Sequence, residues 1–196
     1  MSFGSKLTRN STGVLVQSKL RSHGGPLSFD PSALYLMLSA PKVKQEDFCS
    51  SQCSFHNFHS EGRANLKYLW SANPNAQCPE YCGFPFVIPS YVKYSFPASP
   101  PNHKRGIDSM LGSLGHELVE SATDPTLRGW YIGDRSYPGE VAFLCQGVYA
   151  KDAAPAFTGT LLTNLDGSNY NVRGVRNRTF LLPWLWSNRV AACVGG

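Results

Sequence analysis

The stretch Gly115-His116-Glu117-Leu118-Val119-Glu120-Ser121-Ala122-Thr123-Asp124-Pro125 closes a longer segment in which Ile107, Met110, Leu111, Leu114, Leu118, Val119 and Ala122 recur at threes and fours. That period is helical. It predicts one helix from Ile107 that stops at Asp124, because the residue before proline is pushed out of helical backbone. The apolar stripe is expected to belong to the core, with Leu114 and Leu118 seating the helix against a sheet. Residues four apart share a helix face, so His116 and Glu120 can grip one cation while Glu117 stands beside it. This is the H-E-x-x-H layout with glutamate in the second histidine position. Glu117 then falls at the general-base position, where it would polarise a metal-bound water. A surface helix with two acids and a capping carboxylate is the structural alternative.

The 196 residues suit one domain and are enough to bury a real core. Charged residues make up only 16%, while glycine and proline together number 32, which describes a loop-rich globular chain and excludes a disordered or coiled-coil one. The net charge of +5 favours loose adsorption to polyanions such as an acidic polysaccharide. Lys42, Lys44, Lys67, Lys93, Lys104, Arg105, Arg173, Arg176, Arg178 and Arg189 are scattered, without a nucleic-acid-binding motif, so no nucleic-acid partner is expected. No apolar run approaches the ~18 residues that a membrane span needs.

Six cysteines stand at 49, 53, 78, 82, 145 and 193. Two C-x3-C pairs followed by two isolated cysteines read as a three-bridge framework of an oxidising compartment. The plausible bridges join Cys49 and Cys53 to Cys78 and Cys82, in either order, and tie Cys145 to Cys193. A thiolate zinc knot in the cytosol is the rival reading. The sequence from Met1 to Arg9 shows no apolar segment of a signal peptide, so secretion would require that a front end is missing.

A helix is expected over residues 8–22, stopped by Gly24-Gly25-Pro26, and then a buried strand at Ala33–Leu38. Leu66–Trp70 alternates as a second strand, and the proline-rich residues 78–103 form a loop pinned by cysteines. Short strands are expected at Gly129–Ile132 and among residues 159–184, where Asp166-Gly167 is the clearest hairpin signal. The fold class is α+β: a mixed β-sheet packed on a central zincin-like helix, with disulfide-pinned loops and C-terminal hairpins.

Phe48-Cys49-Ser50-Ser51-Gln52-Cys53-Ser54-Phe55-His56, Tyr68-Leu69-Trp70-Ser71-Ala72-Asn73, Ala76-Gln77-Cys78-Pro79 and Gly83-Phe84-Pro85-Phe86 resemble the EXORDIUM-like (phosphate-induced protein 1) family of plants. The tail agrees, with Asp166-Gly167-Ser168-Asn169-Tyr170-Asn171-Val172-Arg173 and Arg178-Thr179-Phe180-Leu181-Leu182-Pro183-Trp184. The resemblance implies a secreted apoplast or cell-wall protein associated with growth and with hormone or nutrient response, without an established catalytic activity. It also implies that residues 1–196 are one domain lacking the family's N-terminal part and signal peptide. Its branch with a His-Glu-Leu-x-Glu helix carries a downstream aspartate, where this chain has Phe143. The third metal ligand must then come from elsewhere: Asp124, eight residues past His116, is the nearest, and Glu140 is another.

His56 and His59 could bind metal with neighbouring thiols, but surface loop histidines are the simpler reading; His23 and His103 carry no pattern. Tyr68, Trp70, Trp130, Tyr131, Trp184 and Trp186 suggest either a sugar-stacking face or ordinary packing. Two functions follow. The first is a secreted, disulfide-stabilised, non-catalytic protein without a cofactor, whose partner is a cell-wall polysaccharide or a receptor. The second is a zinc hydrolase, degenerate in its ligands, with His116, Glu120 and Asp124 on the metal and Glu117 as the catalytic base.

Overall fold

A computed structural model describes residues 6–21, 27–61, 64–93, 95–136, 138–155 and 157–195. His23 and the expected helix stop at Gly24-Gly25-Pro26 lie outside the described residues. The order is β1 (Lys6–Leu7), α1 (Arg9–Leu20), β2 (Leu34–Ser39), β3 (Lys44–Gln45), β4 (Ser54–Glu61), β5 (Ala64–Ala72), α2 (Pro79–Cys82) and α3 (Arg105–Thr123). Six short strands follow: β6 (Leu162–Thr163), β7 (Asn169–Tyr170), β8 (Val172–Arg173), β9 (Thr179–Phe180), β10 (Leu185–Ser187) and β11 (Ala192–Val194). The class is α+β, with several sheets and three disulfides.

The principal sheet is mixed, in the order β2-β5-β4. β5 runs parallel to β2 and antiparallel to β4, with Tyr68 opposite both Tyr35 and Asn57. Alternation along each strand separates two faces. One carries Tyr35, Phe55, Leu66, Tyr68, Trp70 and Ala72, and with Leu20, Phe48 and Cys82 these build the main core. Trp70 is fully buried; Phe48 meets it edge-on at 5.2 Å and Phe55 stacks on it at 5.5 Å.

α1 lies against β4 and β5 on that face. Thr8 caps its start by accepting from the Ser11 amide, and Arg9 passes its guanidinium 5.2 Å above the Phe55 ring. The helix buries Thr12, Gly13 and Leu20, and Gly13 rests directly on His59 and Tyr68. Thr12 donates from its hydroxyl to the Gln45 side chain at 2.9 Å.

β2 corrects the expectation of a buried strand. Leu34, Leu36 and Leu38 are 37%, 49% and 50% exposed, on the same side as Lys67, Leu69 and Ser71 of β5. α3 packs on β4 and β5 on that side, so the leucines of the edge strand run past its cover.

The C-terminal third forms three two-stranded hairpins, β6–β7, β8–β9 and β10–β11. The first turns at Asp166-Gly167, where Gly167 takes the positive φ of 84° that glycine adopts without steric cost. A second core of Phe86, Ala98, Tyr149 and Leu181 joins them to the proline-rich segment. Buried Asn171 locks them further, donating to the Tyr149 and Leu182 carbonyls and accepting from the Leu182 amide. The expected strand at Gly129–Ile132 reduces to a single bridge between Ile132 and Gly139.

Candidate functional site

α3 begins at Arg105, two residues before the expected start at Ile107, and stops at Thr123, with Asp124 as its C-cap. Its most deeply buried residues are not those of the expected apolar stripe, of which Ile107, Met110, Leu111, Leu114 and Val119 are half-buried. Leu118 is 46% exposed, while Asp108, Ser109, Glu117, Glu120 and Ser121 are all buried. The sheet explains the polar face, since β4 and β5 offer Ser54, His56 and Ser71 to the helix, and polar groups buried there need hydrogen-bonding partners. Ser71 donates to the Met110 carbonyl, and the Ser54 hydroxyl lies 3.3 Å from the Ser113 carbonyl. Small residues allow the close seat: a Cβ on Gly106 would fall 2.1 Å from the Asn73 side-chain oxygen. At the helix start buried Asp108 accepts from the Asn102 amide and side chain, where the helix dipole favours a carboxylate.

A cluster of acids and imidazoles sits between α3 and β4. Glu117 accepts from the Ser54 hydroxyl at 2.8 Å through one oxygen and is hydrogen-bonded to His56 Nδ1 at 3.0 Å through the other. Glu120 accepts from the Phe143 amide at 2.9 Å and lies 3.0 Å from His116 Nε2. One ligand atom each from His56, Glu117 and Glu120 fall within 4.8 Å of one another, as metal donors do. Glu140 approaches from the following loop, its Oε1 3.7 Å from His56 Nε2.

Burial opposes a charged His56, but the hydrogen bond to Glu117 and the charges of Glu117, Glu140 and Glu120 outweigh it and raise its pKa. His116 shifts the same way: burial is overcome by Glu120's hydrogen bond and charge. Glu140 is pushed up to about 7, first by burial and then by the charge of Glu120, with His56 opposing.

The structure thus brings His116 and Glu120 together and turns Glu117 toward β4. Asp124 is buried and engaged in the turn after the helix, accepting from the Arg128 and Gly129 amides at 2.6 Å each. His56 is the residue whose place sequence reasoning missed. It belongs to a strand rather than a loop, and its face is opposite that of His59. The run Ser54-Phe55-His56-Asn57-Phe58 pairs with Lys67–Ser71, and its Phe55 and Phe58 among polar residues are the signal that would have shown a strand. His103 is exposed and pairs with Asp166 at 3.2 Å.

The cysteines pair as Cys49–Cys78, Cys53–Cys82 and Cys145–Cys193, so none is left as a thiolate and the zinc-knot alternative is contradicted. Tyr68 and Trp70 belong to the core and cannot stack sugars, whereas Trp130, Tyr131, Trp184 and Trp186 are half-buried. Arg128, Tyr131 and Arg135 line a cleft of about 320 Å³.

The family model described as the phosphate-induced protein 1 conserved region matches residues 1–195. The chain belongs to the phosphate-induced protein 1 family. Among its relatives, Protein EXORDIUM-like 3 of Arabidopsis thaliana is 39% identical over 198 residues, covering 99% of this chain and 58% of its own length. Protein EXORDIUM-like 5 of the same plant is 34% identical over 199 residues, covering 99% and 54%. Protein PHOSPHATE-INDUCED 1 of Nicotiana tabacum is 36% identical over 168 residues, covering 82% and 53%. This phosphate-induced protein 1 chain therefore spans somewhat over half the length of those relatives. No solved structure matches it. Among its described residues no helix is long and apolar enough to cross a membrane.

Proposed function

We propose that this chain is a secreted, disulfide-stapled EXORDIUM-like protein of the apoplast or cell wall, associated with growth or hormone response and non-catalytic. The observation that carries the reading is the complete pairing of six cysteines in a chain of this family, since such bridges persist in oxidising compartments. The partner this reading favours is an acidic wall polysaccharide. The net charge of +5 and the cleft between Arg128, Tyr131 and Arg135 both suit a polyanion with sugar rings. The test is to express the tagged gene product in leaves and fractionate them. The protein is expected in the wall and apoplastic fractions, with salt needed to release the wall-bound part; confinement to the cytosol would refute the reading.

The zinc-hydrolase reading draws support from His116 and Glu120, which face one another at 3.0 Å on one helix face. It ranks second because Glu117, its base, is 5% exposed and already held by Ser54 and His56. Asp124, its third ligand, is committed to two backbone amides. Zinc-dependent peptide cleavage abolished in Glu117→Gln would reverse the order.

A further inference from the structure

Three carboxylates, Glu117, Glu120 and Glu140, converge where α3, β4 and the loop after α3 meet. Burying anions is costly unless they are paired. Among the described residues their ion pairs are with His56 and His116, and none is with lysine or arginine. With all three carboxylates ionised, even two protonated imidazoles leave the cluster one positive charge short. A second observation is independent of that balance. His56 is 6% exposed, and its Nε2 has no hydrogen-bond partner. Glu140 Oε1, 3.7 Å away, is likewise buried without one. Two such atoms facing each other beyond hydrogen-bond reach are spaced as two ligands around one ion are, with metal–ligand distances of about 2.0–2.2 Å each.

We propose that His56, Glu117 and Glu120, with Glu140 as a fourth donor, form a buried binding site for a first-row divalent cation. One imidazole nitrogen with carboxylate oxygens selects Zn²⁺ or Mn²⁺ over Ca²⁺, which takes six to eight oxygens. Ser54 on Glu117, and the Phe143 amide with His116 on Glu120, are the outer partners that orient such ligands. The donors come from a strand, a helix and a loop, so the ion would tie three elements together. Glu117 serves here as a ligand and not as a base, and His116 stands outside the donor set. The inference does not rest on the extracellular reading.

The test is to strip the oxidised chain with EDTA and titrate it with Zn²⁺, Mn²⁺ and Ca²⁺ by calorimetry, with elemental analysis of the product. One equivalent of Zn²⁺ or Mn²⁺ is expected to bind, in preference to Ca²⁺. His56→Ala should abolish stoichiometric uptake, Glu140→Gln should weaken it about tenfold or more, and exposed Asp152→Asn should leave it unchanged. Should His56→Ala fail to fold, Glu140→Gln and the loss of visible absorption in Co²⁺-loaded Glu117→Gln read the same site. A stripped chain that takes up no cation, a full equivalent retained by His56→Ala, or loss confined to His116→Ala would each overturn the proposal.

Discussion

Trp70→Ala should destabilise the oxidised chain by about 3–5 kcal/mol, the range for truncating a fully buried aromatic. Trp70 is 0% exposed at the centre of β5, with Phe48 edge-on and Phe55 stacked. Removing the indole leaves a void that a sheet stapled by two nearby disulfides cannot collapse to fill. The loss corresponds to a fall in Tm of roughly 10 °C for a chain of this size. Urea denaturation monitored by far-ultraviolet circular dichroism would measure it. Tyr91→Ala, at a residue 82% exposed, is the control and should change stability by less than about 0.5 kcal/mol. A Trp70→Ala cost as small as that of Tyr91→Ala would mean that the core is not centred on β5.

The disulfides should differ in their contributions. Cys145–Cys193 closes a 48-residue separation alone, and it fastens β11 to the turn at Phe143–Cys145. Replacing both cysteines by alanine should cost about 4 kcal/mol on the chain-entropy estimate. Cys49–Cys78 and Cys53–Cys82 each span 29 residues and are offset by four at each end. Either one already closes nearly the loop that the other closes. Removing one therefore opens a ring of only about eight residues and should cost roughly 2.5 kcal/mol. Equal losses for Cys49→Ala/Cys78→Ala and Cys145→Ala/Cys193→Ala, compared in guanidinium, would show that the two staples do not share a loop.

How much was legible in the chain follows from what each signal measures. The span of α3 could be read because a stripe of period 3.6 and Asp124-Pro125 are local. Which face it buries is not local. Ser54, His56 and Ser71 decide it, and they lie far away in sequence on strands that alternation divides between two faces. The same limit applies to β2, where a continuous apolar run cannot reveal that one side of Leu34, Leu36 and Leu38 stays uncovered. Cysteine spacing restricted the bridges to the pairs that formed but left the order within the two C-x3-C pairs open. The acids on the helix were named from the motif, whereas the partner that completes the cluster, His56, was hidden in a segment whose cysteines suggested a loop.

The proposed function places outside the cell a chain that three disulfides hold together. Its most direct test is peptide mapping, without reductant, of the protein recovered from the apoplast, with free thiols alkylated beforehand. Linked peptides joining Cys49 to Cys78, Cys53 to Cys82 and Cys145 to Cys193, with no alkylated cysteine, are the predicted result. Six alkylated cysteines, or links between other partners, would contradict it.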